Sequence, residues 1–133
     1  MDGSAPPRFL PPAGDLRRAE AQAAAVSRHL LLTGDDVAWC LEHERWIESV
    51  AVVARLVGRP TERVARAFVE RRAEAMLALL FLAGARWQVA EQAVLLWGAA
   101  SSARMSRYAA VYAGLTRPDA ERALAAAGLN ETP

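Results

Sequence analysis

An all-α protein is the fold class this sequence predicts, and three observations carry the prediction. Alanine and leucine dominate, with 30 and 16 of the 133 residues, while glycine and proline together number only 15. Apolar residues recur at three-and-four spacing, and no stretch alternates apolar and polar residues as a half-buried strand would. Single glycines punctuate the pattern where helices would end. The expected architecture is five to seven helices, arranged as HEAT-like stacked hairpins or as an irregular helical bundle.

Residues 1–14 carry four prolines and read as a flexible tail ahead of a single helical domain over 15–128, with a short tail at 129–133. Asp15 is placed to cap a helix through LRRAEAQAAAVSRHLLL that ends at Thr33 and Gly34, with Gly34 as a left-handed terminator. Asp35 or Asp36 then caps a segment through Trp39 and Cys40. It either breaks near His43 or continues into RWIESVAVVARLV, stopping at Gly58. Pro60 suits the first turn of a helix over 60–72. The segment from Ala75 to Ala83 is apolar on every face and belongs at the centre of a bundle. Gly84 ends it, and RWQVAEQAVLLW follows. Ser101 or Ser102 caps ARMSRYAAVYAGL, and a last helix runs from Pro118 and Asp119 to Gly128.

Three windows align as a repeat: LVGRPTERVARAF (56–68), LAGARWQVAEQAV (82–94) and YAGLTRPDAERAL (112–124). Each reads apolar residue, small residue or valine, glycine, polar turn and helix, which is the form of a helical hairpin. The expected core comprises Trp46, Val50, Val53, Leu56, Val64, Phe68, Met76, Leu79, Leu80, Val94, Trp97, Val111 and Leu124.

Composition bounds the function. A formal net charge of +1, with all 16 basic residues arginine, disfavours a general nucleic-acid coat. The one cysteine, Cys40, forms no intramolecular disulfide and fits a reducing cytoplasm. The longest apolar run, 75–85, falls short of the roughly 20 residues a membrane span needs. The proline-rich start has no apolar core of the kind a signal peptide carries.

No constellation of catalytic residues stands out. Ser27, Ser49, Ser101, Ser102 and Ser106 lack a nucleophile elbow. Gly58, Gly84 and Gly114 stand singly rather than in a phosphate loop. Cys40 and His43 have ligand spacing, but their nearest additions are only His29, Asp35, Asp36 and Glu48, so no metal or cofactor is expected. The protein is read as non-enzymatic.

Two binding readings remain. In the first, Trp87 begins a helix beside Arg86, the composition of a protein-binding hot spot, and Tyr108 and Tyr112 share a helix face nearby. The alternative for Trp87 is a staple that fixes the helix start on the core. Arg86, Trp87, Tyr108 and Tyr112 would then bind a protein partner or a second copy of the chain. In the second reading, Ala54, Gly58 and Val64 have helix-turn-helix spacing, and Arg59, Thr61, Arg63 and Arg66 would face DNA. Glu62, Glu70 and Glu74 in the same stretch oppose phosphates. The first reading is preferred.

The run VARLVGRPTERVARAFVERRAEAMLALLFLAGARWQVAEQAVLLW, followed by YAGLTRPDAERAL, resembles an alphaproteobacterial helical-repeat family called domain of unknown function 2336. Leu82, Ala83, Gly84, Trp87 and Val94 fill one element of its pattern, and Tyr112, Leu115, Ala120 and Leu124 another. The resemblance spans about residues 45–127 and is made of common helical residue types. It implies a HEAT-like helical stack without catalytic residues, and supplies no ligand.

Overall fold

The structure is a computed structural model that describes residues 5–129. Among the described residues it is all-helical. Eight α-helices run α1 (Ala13–Ser27), α2 (Gly34–Glu42), α3 (Trp46–Val57), α4 (Thr61–Val69), α5 (Ala73–Leu82), α6 (Trp87–Leu96), α7 (Met105–Ala113) and α8 (Arg117–Ala126). A 3-10 turn at Ser102–Arg104 leads into α7, where a longer capped helix was expected.

Six helices end in one way. Glu44, Gly58, Arg71, Gly84, Gly98 and Gly128 take positive φ. In each case the next N–H reaches back five residues: Arg45 to Cys40, Arg59 to Ala54, Arg72 to Ala67, Ala85 to Leu80, Ala99 to Val94 and Leu129 to Leu124. This is the Schellman closure, which satisfies carbonyls that the helix end would otherwise leave bare. The first five left-handed positions follow at intervals of 14, 13, 13 and 14 residues. The underlying unit is therefore one three-turn helix and its turn, half the hairpin length suggested by glycine spacing. Glutamate and arginine hold two of the turns, so a search for glycine passes over them. Gly114 does not belong to the set: its φ is −95°.

The helices do not form an open stack, in which each hairpin would touch only its neighbours. Helix α3 packs on α1, α2, α4 and α5, while α5 also packs on α4, α6 and α8, and α2 reaches across to α6. Those non-sequential contacts make an irregular bundle around α3 and α5. As its apolar faces predict, α5 is central, with every residue from Ala75 to Leu80 buried. Trp97 lies at the middle, edge-on to Trp46 (5.9 Å) and Phe68 (5.3 Å), so one ring joins α3, α4 and the end of α6.

Several expectations are corrected. Helix α1 ends at Ser27, and Thr33 rather than Asp35 or Asp36 caps α2, in a reciprocal box with Asp36. Gly34 is no terminator: it is the buried first residue of α2, and a Cβ there would lie 2.7 Å from the Ala85 Cα. Only glycine lets α2 approach the α5–α6 turn so closely. Helix α4 covers 61–69 rather than 60–72, because Arg71 turns left-handed. Val111 is 47% exposed and Leu56 only partly buried, while α7 buries Met105 and Tyr112 instead. Leu10 packs against the core and the Pro7 carbonyl accepts from Arg71, so part of the expected tail is docked. Leu129 is buried, and residues 1–4 and 130–133 lie outside the described residues.

Candidate functional site

The expected contact residues divide on inspection. Tyr112 is buried and donates its hydroxyl to the Ala85 carbonyl at 2.6 Å. Its ring lies against Phe81 (5.9 Å, edge-on) and Trp87 (5.6 Å, tilted). Trp87 is thus partly buried in a clamp that fastens α7 to the α5–α6 turn, the role of a staple. Burial pushes the Tyr112 phenol up to about 12. Arg86 is exposed and pairs with Asp35 across 3.1 Å of surface. Tyr108 shares the inward side of α7 but opens onto a different cleft, beside Arg71 and Arg72.

The four residues read as facing DNA are not brought together on an open surface. The Arg59 side chain is 9% exposed and pairs with Glu121 at 2.6 Å, tying the α3–α4 turn to α8. Thr61 is buried and donates to Glu20 on α1 at 3.1 Å. Arg66 is exposed but pairs with Glu62 at 2.9 Å, and Arg63 is half-buried.

The surface that sequence reasoning missed lies on α2 and its neighbours α1 and α3. Helix α2 buries Val37, Cys40 and Leu41, which share one face at three-and-four spacing. Trp39 falls off that face and is 50% exposed. The helical phase of Val37, Cys40 and Leu41 was the signal that could have found it. Its indole stacks on His43 with ring centroids 4.1 Å apart, and the Arg45 guanidinium lies 5.9 Å from the ring centre. The Trp39 carbonyl accepts from the His43 Nδ1 at 2.8 Å. The ring is therefore held in place although it faces water.

Beside it runs a groove of about 420 Å³ between α1, α2 and α3, with Val26, Leu30, Leu32, Trp39, Cys40 and Val52 as its apolar wall. Leu30 and its neighbour Leu31 belong to the 28–33 connection and are 68% and 88% exposed. They were expected inside a helix. The helix stops short because the chain leaves α1 to set the Thr33 cap, and these leucines pass to the surface. Asp36, Arg45 and Glu48 supply the charged rim.

The Cys40 thiol is pushed up to about 11 by burial, with the Glu48 carboxylate adding to it, so it is protonated near neutral pH. Ser27 and Ser49 donate to backbone carbonyls. Among the described residues no group of three or more His, Cys, Asp and Glu side chains could hold a metal ion. No helix among them is long and apolar enough to cross a membrane.

No known protein family, curated protein or solved structure matches the chain. The resemblance drawn from the sequence rests on the residues quoted for it alone.

Proposed function

We propose that the protein is a non-catalytic interaction module, working in the cytoplasm, that binds a protein partner through the Trp39 groove. One observation carries the reading. A half-exposed tryptophan, fixed by His43 and Arg45, stands at the edge of an apolar groove flanked by two largely exposed leucines. A pre-ordered aromatic loses little freedom on binding, and tryptophans of this kind dominate interface energetics. A groove between helices suits an amphipathic partner helix that presents apolar anchors at three-and-four spacing. The contact set therefore moves from Arg86, Trp87, Tyr108 and Tyr112 to Leu30, Leu31 and Trp39.

The helix-turn-helix alternative loses its footing, since Thr61 is buried and the guanidinium groups of Arg59 and Arg66 already face carboxylates.

Selection of helical peptides from a displayed random library against the full chain tests the reading. Peptides should be recovered with spaced apolar residues, and Leu30→Asp should weaken them at least tenfold while Tyr108→Ala leaves them unchanged. Their affinity should hardly respond to salt, whereas duplex DNA binding would fall steeply as salt rises. Recovery of peptides indifferent to Leu30→Asp would sink the assignment.

A further inference from the structure

We infer that the occupant of the Trp39 groove is a second copy of this chain, docked about a two-fold axis. The inference rests on the interaction-module reading and names its partner. A two-fold interface uses the same patch on both subunits, so knob and hole must lie side by side on one surface. This patch has both. The hole is the groove walled by Val26, Leu32, Trp39 and Cys40. The knob is the 28–33 connection at its edge, which raises Leu30 and Leu31 into solvent.

Charge favours the same pairing. The knob carries Arg28 and His29, both exposed, immediately before the leucines. Among the lining residues of the groove the charged groups are Asp36, Glu48 and Arg45, so its rim is acidic on balance. Arg45 is already engaged within the chain, 3.6 Å from Glu48 and close to the Trp39 ring. The basic knob of one copy thus meets the acidic hole of the other twice, once on each side of the axis.

Light-scattering chromatography of the full chain at tens of micromolar tests this. The wild type should elute at twice the 14.4 kDa chain mass and fall toward it on dilution. Leu31→Glu should be monomeric with an unchanged helical spectrum and melting curve, since that side chain is 88% exposed. Arg28→Glu and Glu48→Arg should each be monomeric alone, because both pairs across the axis become like-charged. Mixed in equal amounts they should rebuild a dimer, because both pairs then regain opposite signs.

A wild-type monomer at high concentration would overturn the second copy as occupant while leaving the groove to another protein, which the peptide selection reports separately. A dimer whose mass ignores Leu31→Glu would overturn this patch as the dimer interface, while the peptide selection still decides the groove itself. A mixture that stays monomeric, beside a wild type that dimerises, would overturn the two-fold pairing.

Discussion

Trp39 and Trp87 stand on helices that pack against each other, α2 and α6, and they have opposite fates. Trp87 is clamped between its own helix start and Tyr112, whose hydroxyl closes on the backbone of the turn. Trp39 stacks on His43, has the Arg45 guanidinium near its ring and leaves half of its surface in water. One region has its aromatics used up by the fold, while the other has an aromatic left over beside an apolar groove. The difference teaches that an aromatic's role here depends on whether a later helix arrives to cover it.

The sharpest way to break this comparison is truncation on both sides. Tyr112→Ala should cost about 3 kcal/mol or more of stability, as loss of a buried aromatic does, and leave groove binding intact wherever the fold survives. Trp39→Ala should cost under about 1 kcal/mol and remove binding. Urea titrations of the two variants beside a binding measurement decide it, and a large stability loss in Trp39→Ala would erase the distinction.

Titration sharpens the contrast. The Tyr112 phenol is raised in the folded chain from 10.0 to about 12, so its contribution is complete below pH 10 and disappears as pH rises through 12. The size is roughly 2–3 kcal/mol. The Cys40 thiol acts over an earlier window, from 9.0 to about 11, with the same sign. Stability measured from pH 8 to 12 should therefore fall in two overlapping stages, and Tyr112→Phe should flatten the later one.

The joint between the regions is Gly34 against Ala85. Gly34→Ala places a Cβ 2.7 Å from backbone and should cost roughly 1–3 kcal/mol, seen as a lowered melting temperature. A neutral effect would mean that α2 slides freely over the α5–α6 turn.

The smallest expected effect lies beside the groove. Glu44 is exposed yet holds φ at 58°, where glycine is favoured, so Glu44→Gly should raise stability by up to about 1 kcal/mol. The exposed turn can gain in this way, whereas Arg71→Gly would also remove the bonds its guanidinium makes to Pro7 and Val69.

The sequence by itself determined the helical class, the buried centre formed by α5 and most of the core, because those follow from local periodicity and from where glycines stop helices. It also held the phase of α2 that exposes Trp39, readable from Val37, Cys40 and Leu41. Other features were decided by residues far apart in the chain. Trp87 is covered because Tyr112 arrives 25 positions later. Thr61 turns inward because Glu20 waits on α1, and Arg59 is engaged because α8 delivers Glu121. The left-handed turns at Glu44 and Arg71 are likewise set by the closing hydrogen bonds of their helices rather than by residue type. Local preference fixes where helices form, but burial and pairing depend on which surfaces meet, and only the packed chain decides that.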